Sequence, residues 1–134
     1  MYRNILLFSA FSGALTVAFG AMGAHTLRNH FHVDESHMQI FETGVRYQAW
    51  HTLALMGIGI LSLLYPAKTV AWAGKMFITG ILFFSGSLFF LALRPVFGIP
   101  DEHWKGIGAL TPLGGIAFIT GWILLFVYIL KLKK

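Results

Sequence analysis

The chain has no cysteine, which excludes disulfides, thiolate metal sites, iron–sulfur clusters and cysteine nucleophiles together. Acid is almost as scarce. Five Asp and Glu occur in 134 residues, and none falls inside a long apolar block. Charged residues make up 11% of the chain, too few to clothe a soluble surface. No G-x-S-x-G turn, phosphate-binding loop, H-E-x-x-H or pair of intramembrane carboxylates occurs, so enzyme chemistry has no anchor and the expectation is a protein that is not an enzyme. A proton pathway would want carboxylates within the spans, and there are none. The formal charge of +5 comes from basic residues scattered at block ends and in the tail, not from the stripe that a phosphate backbone needs, so nucleic acid is not an expected partner.

What the chain does have is apolar length. Hydrophobic residues are 57% of the total and run in uninterrupted blocks rather than stripes, which makes the lipid bilayer the expected surroundings. About 20 residues at ~1.5 Å each cross the ~30 Å hydrocarbon layer. The blocks predict spans at about 5–24, 49–65, 70–93 and 107–130. The expected fold class is all-α, a single membrane domain over 1–134 built as a bundle of four transmembrane helices. The first block is longer than the apolar region of a cleaved signal, so it reads as a retained span. Pro66 to Thr69 leave so short a link that spans two and three should form an antiparallel hairpin.

With four spans both termini share a side, and the charges divide between the two. The terminal side holds Arg3, Lys68, Lys75, Lys131, Lys133 and Lys134 with no acid. The far side holds Arg28, Arg46, Arg94 and Lys105 with Asp34, Glu35, Glu42, Asp101 and Glu102. The Lys and Arg excess places both termini in the cytoplasm. Trp72 on one side, and Trp50 and Trp104 on the other, suit interfacial aromatic belts.

Between spans one and two the chain predicts an amphipathic helix, lying in the interface or running on into span two. Ser36 to Gln39 fits a capping box, Phe41, Val45 and Gln48 share a face, and Glu42 and Arg46 are spaced to pair. No two glycines stand four apart, but Ala10, Ala14 and Ala18 do, as do Ser9 with Gly13 and Gly20 with Ala24, which marks span one as the span expected to pack closely against neighbours, either its own spans or another subunit.

The six histidines, His25, His30, His32, His37, His51 and His103, all fall on the acid-bearing side. His30, His32 and His37 fit no strong zinc spacing, so no metal site is assigned and no cofactor is expected. His25 ends span one and His51 lies about one turn into span two, with Gln48 on its face; Ser85, Ser87 and Thr111 add hydroxyls in the outer halves of the other spans. These six, His25, Gln48, His51, Ser85, Ser87 and Thr111, form the candidate polar or ligand-binding cluster, placed in the outer third of the bundle. In hydrocarbon each needs a partner, so the cluster reads as a hydrogen-bonded latch, or alternatively as a pocket for a lipid or small polar molecule, a proton-handling pair or bis-histidine haem ligation. No catalytic residue is assigned. Thr111-Pro112-Leu113-Gly114-Gly115 allows either a kink or close helix packing.

Several strings together resemble a known family: Gly20-Ala21-Met22-Gly23-Ala24-His25, Tyr47-Gln48-Ala49-Trp50-His51, Phe84-Ser85-Gly86-Ser87-Leu88, and Thr111-Pro112-Leu113-Gly114-Gly115 with Gly121-Trp122. In order and spacing they look like the small bacterial membrane family called domain of unknown function 423, itself similar to a small mitochondrial transmembrane protein of animals. The resemblance implies a four-span protein of the bacterial inner membrane with no assigned activity. Met22 stands where that family commonly has phenylalanine, and the stretch from Arg94 to Lys105 is longer than usual. The expected role is a non-enzymatic scaffold or accessory module that meets a membrane protein partner or a second copy of itself. The alternative is a lipid or small-molecule binding or transport protein with an outward-facing pocket around His25 and His51.

Overall fold

The computed structural model describes residues 2–100 and 105–132. It is an all-helical bundle of four membrane-spanning helices: α1 (Tyr2–Leu27), α2 (Glu35–Leu64), α3 (Lys68–Phe97) and α4 (Gly106–Lys131). Asp101, Glu102, His103, Trp104, Lys133 and Lys134, which entered the charge and aromatic tallies, lie outside the described residues.

The amphipathic segment takes the second of its two expected courses and runs without a break into the second span as one 30-residue helix. Its cap is Asp34, not Ser36. Asp34 Oδ1 accepts from the backbone N–H of Ser36 at 3.0 Å and of His37 at 3.1 Å, and Oδ2 takes the His37 ring at 2.6 Å. Aspartate at this position satisfies two of the helix's unpaired N–H groups and puts its charge at the positive end of the dipole, so it displaces the serine box one turn on. The expected Glu42–Arg46 pair is also replaced. Glu42 meets Arg28 across the loop at 3.4 Å, because α1 returns alongside that face of α2. At the other end Pro66 stops α2, as proline must when its ring blocks the next turn. Helix α3 closes on Gly98, whose φ of +62° lets the amides of Gly98 and Ile99 turn back to the carbonyls of Pro95 and Arg94.

Besides the 3₁₀ turn Arg94–Phe97 that ends α3, two segments are wound more loosely than an α-helix. Met22–Leu27 at the end of α1 and Ile81–Ser85 in the middle of α3 are π-helical. Such turns insert an extra residue and rotate the rest of the helix about its axis.

The tightest seam joins α3 to α4. Phe118 of α4 sits where a side chain on Gly80 would be, and Phe77 of α3 sits over Gly121. A Cβ at Gly114 would strike the backbone nitrogen of Phe84. The Thr111 to Gly115 string is thus a close-packing device within a helix that continues to Lys131. Of the small residues of span one, Ser9 is buried and Gly13 faces α2, where a Cβ would lie 3.7 Å from Thr52. Ile5, Ser9 and Ser12 form the buried edge of α1, and the Ala10, Ala14 and Ala18 stripe is turned outward, about 100° round the helix from it. Tyr128 Oη donates to the Tyr65 carbonyl at 2.6 Å, pinning the end of α4 to the α2–α3 turn. Near the same end, Lys75 Nζ lies 4.4 Å over the Trp72 ring, one turn closer to the terminal side.

Candidate functional site

The polar residues of the bundle gather on α2, where Gln48 and His51 stand three residues apart and both are buried. They face different neighbours. His51 Nδ1 lies 2.8 Å from the Tyr47 carbonyl, and its Nε2 lies 3.2 Å from the Trp122 indole nitrogen on α4. A carbonyl only accepts and an indole N–H only donates, so the imidazole has its proton on Nδ1 and a lone pair on Nε2. One face of the ring is stacked: its centroid is 3.5 Å from that of Phe118 at 14°, and Phe77 meets it edge-on from the side at 5.4 Å. The glycines of the α3–α4 seam create this box. Without Gly80 and Gly121, Phe118 and Phe77 could not lie against the helices and close around His51.

Gln48 binds the other way, to α1. Its Nε2 donates to the Ser12 carbonyl at 3.2 Å and reaches Ser12 Oγ at 3.3 Å, while Ser12 Oγ and Thr52 Oγ1 share a hydrogen bond of 2.7 Å. Gln48 Oε1 is buried with no hydrogen-bond partner among the described residues, and so is Ser85 Oγ. On the far half of α3, Ser87 Oγ donates to the Phe84 carbonyl at 2.9 Å and shares a 2.6 Å bond with Thr111 Oγ1 of α4.

The six sequence candidates therefore do not form one cluster. Gln48 and His51 come together on one helix, Ser87 joins Thr111, Ser85 is buried nearby, and His25 stands apart. His25 is exposed on the π-helical end of α1. The neighbours on α2 of Gly23, two residues before it, are Phe41 and Met38. Phe41 is ten residues short of His51, about 15 Å along the helix. The two histidines do not share a depth, because the loop and the early start of α2 put α2's amphipathic turns, not His51, opposite His25. A bis-histidine site from this pair has no geometric basis, since Nε2 of His51 also faces Trp122. Depth is corrected as well. His51 lies thirteen residues before Leu64, about 20 Å, while Phe77 and Trp122 lie nine residues from the terminal ends of α3 and α4, about 14 Å. This is the middle of the bundle rather than its outer third.

Sequence reasoning passed over Ser12, Thr52, Phe118 and the role of Trp122. Ser12 and Thr52 carried a usable signal, as polar residues inside apolar runs. In the first turn of α2, His37 is held by Asp34, and no three His, Asp or Glu side chains converge for a metal among the described residues.

A family model described as "Protein of unknown function (DUF423)" matches residues 19–115, which take in the end of α1, all of α2 and α3 and the glycine pair of α4. The chain belongs to the DUF423 family. Two relatives match it nearly end to end. The UPF0382 membrane protein of Staphylococcus epidermidis strain ATCC 12228 is 39% identical over 129 residues, 96% of this chain and 97% of the relative. The UPF0382 inner membrane protein YgdD of Escherichia coli K12 is 36% identical over 132 residues, 98% of this chain and 93% of the relative. No solved structure matches this DUF423 chain.

Proposed function

We propose that this DUF423 protein is a non-enzymatic module of the bacterial inner membrane, a scaffold or accessory subunit with both termini in the cytoplasm. The observation that carries the reading is the closed state of His51. Both ring nitrogens are engaged and one ring face is stacked on Phe118, so the side chain joins α2 to α4 and has no nitrogen left to serve as a base or ligand. A neutral latch at mid-bilayer fixes which helix faces turn outward, which is what a partner helix or a second copy would read. The relative called an inner membrane protein supports the location, and the acid-free terminal side with Arg3, Lys68 and Lys131 supports the orientation.

The test is purification of the tagged chain from native membranes after mild crosslinking, followed by mass spectrometry. A reproducible stoichiometric protein partner or homo-oligomer is expected, and a chain recovered alone and monomeric at every crosslinker concentration would overturn the scaffold. A fluorescent reporter fused after Lys134 should light up in the cytoplasm; a dark fusion with a periplasmic reporter active instead would reverse the orientation. The pocket reading keeps the cavity of about 290 Å³ beside the π-helical end of α1, lined by Gly20, Gly23, Ala24, Glu42 and Arg46.

A further inference from the structure

The string Gly20 to His25 takes no part in the latch or in the α3–α4 seam, and the cavity of about 290 Å³ lies against it. Gly20, Gly23 and Ala24 line the cavity from α1, and Glu42, Val45 and Arg46 from α2. Gly20, Ala24, Glu42 and Arg46 are all exposed, so it opens on the outer surface of the bundle. Its depth follows from His51, which marks mid-membrane. Arg46 lies five residues beyond His51 toward the far side, about 7.5 Å, and Glu42 lies nine, about 13.5 Å, against a hydrocarbon half-thickness of ~15 Å. The backbone of Arg46 is therefore inside the hydrocarbon layer.

A guanidinium stays charged at any depth, and in hydrocarbon it requires an anion. The acid one turn away is engaged elsewhere: Glu42 meets Arg28 at 3.4 Å, and Arg28 also faces Glu35 at 3.8 Å. Arg46 has no ion pair among the described residues. Its long stem can rise along α2 toward the headgroups, but the anion it meets there must come from outside the chain.

The charges at the cavity select that visitor. Two carboxylates share Arg28, which leaves an unbalanced negative charge beside the unbalanced positive charge of Arg46. A simple anion would satisfy Arg46 and add to the surplus at Glu42. A zwitterion with phosphate and cation a few bonds apart satisfies both, because residues four apart stand about 5–6 Å from each other on a helix surface. A primary ammonium donates N–H bonds to a carboxylate, and a quaternary one cannot. Room for such a group exists: a Cβ on Gly20 would come no nearer than 4.0 Å to Val45, and the π-helical winding of Met22–Leu27 widens α1 at this point.

We infer that this cavity holds a phospholipid headgroup bearing a primary amine, taken from the leaflet opposite the termini, with the phosphate on Arg46 and the ammonium on Glu42. The inference gives an occupant to the pocket reading and rests on neither the scaffold nor the orientation.

Native mass spectrometry of the delipidated full chain in detergent tests it. The probes are phosphatidylethanolamine, phosphatidylcholine and diacylglycerol with identical acyl chains, presented in pairs at equal concentration. The ethanolamine adduct should exceed the diacylglycerol adduct about tenfold, the worth of one charge-assisted hydrogen bond, and the choline adduct about threefold. Arg46→Gln should erase the excess over diacylglycerol, and Arg46→Lys should restore most of it. Glu42→Gln should erase only the preference for ethanolamine over choline. Both side chains are exposed, so these variants keep the fold, as unchanged helicity and elution volume will show. Equal phospholipid and diacylglycerol adducts, or an undiminished excess in Arg46→Gln, would overturn the site. Equal ethanolamine and choline adducts would overturn the selection by Glu42. A dimer that Arg46→Gln dissolves would hand the cavity to an acid of a second copy and overturn the lipid as occupant. None of the lipid ratios bears on partner recovery from native membranes, so this inference and the scaffold fail separately.

Discussion

The two flanks of α2 at mid-membrane invite comparison. On one, His51 is stacked, doubly hydrogen-bonded and tied to α4; on the other, one turn away, Gln48 is tied to α1 with half its amide unused. Both side chains are buried in the same solvent-free layer, so burial alone does not distinguish them. The difference lies in what stands opposite. The α3–α4 seam brings aromatic rings against His51 on the backs of glycines, whereas α1 presents serines, and the neighbouring space is left open. A polar group in hydrocarbon can therefore be finished structure on one side of a helix and unfinished on the other.

The comparison is broken most severely through the seam. Gly114→Ala drives a methyl into the Phe84 backbone, which cannot swing aside, and should cost about 3 kcal/mol of stability in detergent unfolding followed by circular dichroism. A native-like melting curve would show that α3 and α4 have room to separate. Next comes the latch itself. His51→Leu strands the Trp122 N–H and removes the ring stack, for an expected loss of about 2 kcal/mol. Gln48→Leu should cost less, under about 1 kcal/mol, since it removes an orphan acceptor along with the bonds to Ser12. The order of these two is the sharp point, and a larger loss at Gln48 than at His51 would erase the distinction between the flanks.

The smallest effect lies outside the membrane. The Ser36 hydroxyl, and then the His37 amide, hold the Asp34 carboxyl well below the ordinary aspartate value of 3.8. A lowered folded value means that the cap's contribution is complete above that ordinary value and is lost only as pH falls through the depressed one. Amide exchange at Ser36 and His37 should show no Asp34-dependent change between pH 7 and about 5. Asp34→Ala should speed exchange at both amides without moving the melting of the spans. Coupled loss of span stability would show that the cap governs the whole of α2.

How much of this could be read in the sequence depends on the physical origin of each feature. The spans were legible because an uncharged run of sufficient length has few other uses, and Gln48 with His51 on one face is a matter of helical spacing alone. Depth was not legible. The apolar block opens at Ala49, but the helix opens at Glu35, so distance from the start of the block misplaced His51. The partners of His51 were hidden for another reason. Which face of α4 turns inward is set by Gly114 and Gly121 seating on Phe84 and Phe77, a pairing between helices that periodicity within one helix does not contain. The small residues of span one were ambiguous on the same ground: Ser9 and Gly13 face α2 while the alanine stripe faces outward, and small residues permit close approach without saying which face uses it.

The π-helical turn at Ile81–Ser85 makes span three a helix of two independently timed halves. Its terminal half is phased to Gly121 and Phe118, while its far half is phased to set Ser87 on Thr111 and Gly86 on the cavity it lines with Phe19 and Phe89. Removing one residue from the turn would restore α-helical winding and swing everything beyond it by about 100°. Loss of Ser87–Thr111 would result, with the His51 box left in place. For anyone aligning or redesigning DUF423 chains, a single-residue gap at this point is a change of phase between two working surfaces, and a shortened loop elsewhere does not compensate for it.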